Sequence, residues 1–298
     1  MNPIVKLNKV TKKYGAVTAV QDISFTMESE KIYGLLGRNG AGKTTIMHMI
    51  AAQLFPTSGE LLVFGEAPYE NRHVLNRLCF VKESQKYPEN YNVEDVLDIA
   101  GSLFENWDRE YALSLIDDFG LPLKRRIKKL SRGMLSAAGI VVGLASRSPL
   151  TIFDEPYLGL DAVARTLFYD RLLEDYAAHP RTVVLSTHLI DEVSRLLEHI
   201  IVINNGRLLL DEDADVLRGR AFQVVGPVGS IDAFASDKET IHRGTFGGFA
   251  TATVMGNLYG KDRQQAEALG LEIAPVSLQQ MIVHLTGRKS GHKEEELV

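Results

Sequence analysis

Little in this sequence could staple or anchor the chain. It holds one cysteine, Cys79, which excludes an internal disulfide and a multi-cysteine zinc site. Cys79 lies in the apolar run Leu78-Cys79-Phe80-Val81, the setting of a buried, inert thiol. The longest clean apolar run, Ala137 to Ala145, is about half of the roughly 20 residues that a membrane-spanning helix needs. The opening residues MNPIVKLNKVTKKYG lack the apolar core of a signal peptide, so the expected location is the cytosol. Basic charge is not in excess either: 33 Lys and Arg stand against 38 Asp and Glu, a net charge of −5. A nucleic-acid backbone is therefore not expected as a partner, because phosphate chains select basic surfaces. No internal repeat is present.

What remains is an ordinary globular composition, 45% apolar and 24% charged over 298 residues, ample for a buried core. Short β-rich runs come first (Ile4 to Val10, Ile23 to Met27, Lys31 to Leu36), and a helical pattern follows over Lys43 to Phe55. Val63-Phe64 and Leu78 to Val81 read as strands, and about Glu83 to Leu130 as helical, broken at Gly120-Leu121-Pro122. From Ser131, helices and strands alternate: helix to Arg147, strand Leu150 to Phe153, helix Asp161 to Ala178, strand Thr182 to Ser186, helix Leu189 to Leu197, strand Ile200 to Ile203. That order predicts an α/β domain with helices over a sheet, an N-terminal β part and a helical insertion. A turn at Asn204 to Arg207 and a short helix close it near Arg220. Residues 221–287 read as βαββαβ with a last helix, compatible with a small ferredoxin-like α+β unit. Residues 288–298 are charged and expected to be a disordered tail.

Gly37-Arg38-Asn39-Gly40-Ala41-Gly42-Lys43-Thr44, followed by Thr45, matches the phosphate-binding pattern G-x-x-x-x-G-K-[ST]. The glycines let backbone amides approach an anion, and the helix that follows adds its positive end. Lys43 supplies a point charge for the β- and γ-phosphates, and the Thr44 hydroxyl is a hard oxygen for Mg²⁺. The loop follows a strand and opens a helix, the context in which this pattern binds phosphate rather than merely turning the chain. Leu150 to Glu155 is an apolar strand ending in two carboxylates. Asp154 is suited to the Mg²⁺, and Glu155 to polarising an attacking water.

Together these residues resemble the ATP-binding subunit of ABC transporters, over about residues 3 to 220. The P-loop NTPase fold of that family has a mixed β-sheet core. The resemblance implies that Tyr14, in Lys13-Tyr14-Gly15, stacks on the adenine ring. It places Glu83 where the family usually carries the glutamine of its Q-loop, as a further reach to Mg²⁺, with Gln85 as the alternative. The segment from Ser84 to Tyr91 is then the surface that meets a membrane partner. Leu130-Ser131-Arg132-Gly133-Met134 stands in place of the LSGGQ signature: Ser131 and Gly133 are kept, Arg132 and Met134 depart. Ser131 also suits a helix N-cap. Gly159-Leu160-Asp161 resembles the D-loop, with Asp161 crossing to a second subunit, and Ser186-Thr187-His188 the switch whose histidine contacts the γ-phosphate.

The resemblance thus implies an ATPase domain over residues 1–220, with a helical subdomain at about 84–148. Its cofactors are ATP and Mg²⁺, and it works as a homodimer or a heterodimer with another such subunit. A separate integral-membrane permease on the inner face of the membrane would use its motion, in the manner of the ABC-2-type exporters. Val276 to Gly287 resembles the ending of such subunits, although Ser277-x-x-Gln280 is also a capping box. The alternatives are a soluble ABC ATPase and a slow-turnover ATP-dependent regulatory module.

Overall fold

Ile32–Leu36 carries no charged residue and is buried at every position, as a strand covered on both faces must be. The computed structural model describes residues 3–82, 85–256 and 260–288. In chain order its elements begin with strands β1 (Pro3–Tyr14), β2 (Val17–Glu28) and β3 (Ile32–Leu36), then helix α1 (Lys43–Ile50) and strand β4 (Ser58–Val63). Next come α2 (Arg72–Leu75), β5 (Leu78–Val81), α3 (Val93–Leu103), α4 (Arg109–Asp118) and α5 (Arg132–Ala145). Then follow β6 (Leu150–Asp154), α6 (Ala162–Ala178), β7 (Thr182–Thr187), α7 (Ile190–Val193), β8 (His199–Asn204) and β9 (Arg207–Asp213). The chain forms two units: the part up to His188 with Leu196–Asp211, and Leu189–Arg195 with the part from Glu212 onward.

The first unit contains two sheets. β2, β1 and β4 make an antiparallel sheet in that order, and β5-β6-β7-β3-β8-β9 a six-stranded one. The pairs β5/β6, β6/β7, β3/β7 and β3/β8 are parallel. β9 returns beside β8 through Asn205-Gly206, whose φ angles of 48° and 73° are those of a tight hairpin turn. Apolar side chains from both sheets and α1 share one core that includes Ile23, Met27, Tyr33, Ile46, Met47, Ile152, Val184 and Ile201. Each such burial contributes about 1.5–3 kcal/mol, so packing holds the sheet and leaves the ends of its strands free for polar residues. In the helical insertion, Asn92 and Asp95 form a capping box at the start of α3, with bonds of 3.0 and 2.8 Å. The Ser131 hydroxyl caps α5 by accepting from the Met134 N–H at 3.2 Å. Cys79 is buried, and burial pushes its thiol up to about 12.

The second unit continues with α8 (Ala214–Leu217), β10 (Ala221–Pro227), α9 (Val228–Ala235), β11 (Thr240–Phe246), β12 (Phe249–Met255), α10 (Lys261–Ala268), β13 (Glu272–Pro275) and α11 (Leu278–Arg288). Its four strands pair antiparallel in the order β11-β12-β10-β13. With the βαββαβ connectivity, this is the ferredoxin-like arrangement expected from the sequence. Phe222, Val224, Ile231, Phe234, Val254 and Ala266 build its core. The Ser277/Gln280 capping box forms, with bonds of 3.1 and 3.2 Å. In the same unit the Asp191 carboxylate accepts from the Ser277 hydroxyl at 3.2 Å and the Gln279 N–H at 3.3 Å.

Several expected elements change length. The helix expected over Lys43–Phe55 stops at Ile50: Ala52 takes a φ of 55°, and Gln53 and Leu54 both turn their N–H groups back to the His48 carbonyl. The helix expected over Leu189–Leu197 shrinks to Ile190–Val193, with no side-chain cap at Leu189. β1 and β2 run longer than their apolar cores because bulges carry the pairing past irregular positions. The expected tail from Lys289 onward lies outside the described residues, as does the side chain of Arg288.

Candidate functional site

Three neighbouring parallel strands end together. Leu36 lies beside Thr187, and Ser186 beside Asp154, so Gly37, Glu155 and His188 emerge from one edge of the sheet. In open α/β sheets this carboxyl edge is where ligands bind. Between its strand and α1 the phosphate loop needs glycine at its first position. Gly37 has a φ of 151°, and a Cβ there would lie 2.2 Å from the Ile203 carbonyl oxygen. A larger residue would force the loop off β8.

Lys43 opens α1 and is only 6% exposed. Its ammonium donates to the carbonyls of Gly37 at 2.8 Å and Arg38 at 3.4 Å, so the lysine closes the loop on itself. Burial pushes its pKa down, and the charges of Glu155 and Asp154 oppose that. The Thr44 hydroxyl donates to Asp154 Oδ2 at 2.9 Å. Asp154 Oδ1 is buried and has no hydrogen-bond partner. An unpartnered buried oxygen beside a hydroxyl is the donor set that a hard divalent cation takes, so Thr44 and Asp154 fit Mg²⁺.

Glu155 stands just past the end of β6 with a φ of 49°, a conformation that costs a non-glycine residue about 1–3 kcal/mol. Its own N–H donates to the Ser186 carbonyl at 3.1 Å, which ties the turn to β7. Burial raises its carboxyl pKa, while His188 and then Lys43 pull it back. Glu155 Oε2 lies 2.9 Å from His188 Nδ1. Tyr157, which no sequence pattern singled out, donates its hydroxyl to the same Oε2. A cavity of about 500 Å³ opens here, walled by Asn39 to Thr45, Glu155 and His188.

The remaining candidates do not line that cavity. Tyr14 is half exposed with the Lys12 ammonium 5.2 Å from its ring centre. Ser131, Arg132, Gly133 and Met134 start α5 against the D-loop instead. A Cβ on Gly133 would lie 2.5 Å from the Gly159 carbonyl oxygen, and the Ser136 hydroxyl donates to the Leu158 carbonyl at 2.6 Å. Asp161 caps α6, accepting from the Ala164 N–H at 2.8 Å. Glu83, and with it Ser84, lies outside the described residues. Gln85 is described, and it lines two other hollows with Val81.

The sequence pattern of the ABC transporter family matches residues 20–158. The bacitracin transport ATP-binding protein BcrA of Bacillus licheniformis is 31% identical over 224 residues, 74% of this chain and 73% of that protein. The Nod factor export ATP-binding protein I of Rhizobium leguminosarum bv. viciae is 33% identical over 218 residues, 71% of this chain and 70% of that protein. The chain belongs to the ABC transporter ATP-binding proteins. A solved ATP-binding subunit of an ABC transporter superposes with a TM-score of 0.66 at 25% identity, over 72% of this chain and 91% of the other. The protein is thus an ATP-binding and ATP-hydrolysing subunit of an ABC transporter, with the α/β fold of the family's cassette and an added ferredoxin-like unit. In this ABC subunit Gly133 has a structural use, since its missing side chain lets the start of α5 pack on the Gly159 carbonyl. Tyr157 left no trace in the sequence reading, because a tyrosine in a turn has no diagnostic spacing.

Proposed function

We propose that the subunit hydrolyses ATP inside a dimer, with another copy or a related subunit, and that this drives a separate export permease. The observation that carries the reading is the split between two sets of residues. Lys43, Thr44, Glu155 and His188 wall one cavity, while Ser131, Arg132, Gly133, Met134 and Asp161 stand away from it. A chain that keeps half of its motif residues off its own cavity can present them to the nucleotide of a second chain.

In this reading the loop amides from Gly37 to Thr45 and the Lys43 ammonium hold the phosphates, and Tyr14 lies under the adenine. Lys43 must leave the Gly37 and Arg38 carbonyls to reach the anion, and its ammonium is already beside them. Thr44 and Asp154, with Glu83 as a third candidate, hold Mg²⁺, which when bound screens the phosphate charge. Glu155 orients the attacking water, and His188 faces the γ-phosphate. Ser131 and Gly133 of the partner subunit meet the same phosphate from the other side. Hydrolysis removes the group that bridges the two faces and lets them part.

The names of the relatives, bacitracin transport and Nod factor export, support export as the direction. Among the described residues no helix is long and apolar enough to cross a membrane. A permease on a separate chain, with this subunit bound at its cytoplasmic face, supplies the membrane path.

The test uses the Glu155→Gln variant, which retains the shape of the site. By sedimentation velocity it is expected to dimerise only with ATP and Mg²⁺ together, and EDTA should return it to monomer. A variant that stays monomeric at saturating ATP and Mg²⁺ would overturn the sandwich reading.

A further inference from the structure

Tyr157 is 3% exposed, and its ring packs edge-on against His188, with centroids 5.4 Å apart. Leu158 bonds back to the Glu155 carbonyl at 3.2 Å, and Leu160 to the Tyr157 carbonyl at 3.0 Å. This tight turn after β6 folds the phenol back toward the end of β7. There the hydroxyl meets three groups: Glu155 Oε2, the His188 backbone N–H at 3.1 Å and His188 Nδ1 at 2.8 Å.

A phenol has one hydrogen to give and two lone pairs. A carboxylate only accepts, so the hydrogen goes to Glu155. The backbone N–H of His188 only donates, so it takes one lone pair. The second lone pair faces Nδ1, which must then carry the ring proton and share it between Tyr157 Oη and Glu155 Oε2, the latter 2.9 Å away. Every bond the hydroxyl can make is used, and all go to Glu155 or His188. The Nδ1 edge of the imidazole is committed inward, which leaves Nε2 as the nitrogen available to the cavity that His188 lines.

We propose that Tyr157 is a positioning residue for ATP hydrolysis, its hydroxyl holding Glu155 and His188 in register and fixing the histidine tautomer. It acts through those two side chains and does not touch the nucleotide. A buried phenol satisfies its hydroxyl wherever a partner lies within reach. Here both partners are the groups that must act together on one phosphoryl transfer. The proposal rests on the roles assigned to Glu155 and His188 under the proposed function.

The test is a double-mutant cycle read as steady-state ATP hydrolysis. Tyr157→Phe keeps the ring and removes only the hydroxyl. It is expected to lower kcat about tenfold, the worth of one well-placed hydrogen bond, and to leave the ATP KM within about twofold. In the His188→Ala background the same change should cost clearly less than tenfold, because one of the two groups it holds in register is gone. A loss that came only from looser packing would recur in both backgrounds, so an equal tenfold fall in each would overturn the proposal. So would a Tyr157→Phe variant that keeps at least half of the wild-type kcat. If Glu155→Gln and His188→Ala themselves turned over like wild type, the assignment of the site would fail instead, which separates the two claims.

Discussion

The two units of this chain bury different things. In the first, Lys43, Asp154, Glu155, Asp175 and Arg181 are all buried, whereas the buried polar residues of the second are Thr253 and Thr286, among the described residues. The ion pairs of the second unit are largely at its surface, Arg243 with Asp232 for example, both about half exposed. Burying charge is costly unless it is compensated, and the first unit handles that cost in two ways. Asp175 is paired with Arg147 at 3.0 Å and Arg181 at 2.7 Å, so its charge is compensated by cations of the same chain. Lys43 and Glu155 instead border an open cavity, and the neighbouring Asp154 keeps its buried Oδ1 without a partner. Buried charge that is not closed off marks where a ligand completes the arrangement.

The largest expected effect tests the chemical side of that contrast. Lys43→Ala should lower ATP turnover by on the order of 100-fold or more, through lost phosphate binding. Circular dichroism should still show a folded second unit. At the other extreme, Phe222→Ala in the core of the second unit should cost about 3–5 kcal/mol of that unit's stability, read by chemical denaturation. It is expected to leave ATP turnover within about twofold of wild type. A Phe222→Ala protein that unfolds locally and also loses turnover would show that the second unit supports the chemistry, and the contrast would break. The hydroxyl removed in Tyr157→Phe falls between these two in its effect on rate.

The strands and their polar ends were legible in the sequence because both sheets obey simple patterns. β3, β6 and β7 are buried on both faces and read as apolar runs, so the polar residues at and just past their ends stood out as the site. In the second unit the succession of strand-like and helix-like runs read as βαββαβ, and the elements follow in that order, their strands forming one sheet. Helix ends were less legible. α1 stops through Ala52 in the left-handed region, and alanine carries no stop signal; α7 is a single turn because Leu189 offers no cap. Tyr157 was missed for a deeper reason. Its partners are two residues before it and 31 residues after it, and only the side-by-side ends of β6 and β7 bring them together.

The role proposed for Glu155 is to orient the water that attacks ATP at the carboxyl edge of the sheet. Steady-state hydrolysis by Glu155→Gln at saturating ATP and Mg²⁺, with ATP binding measured alongside, tests it most directly. A fall of about 100-fold or more is expected with ATP binding unchanged, and a variant that hydrolyses ATP within about twofold of wild type would contradict that role.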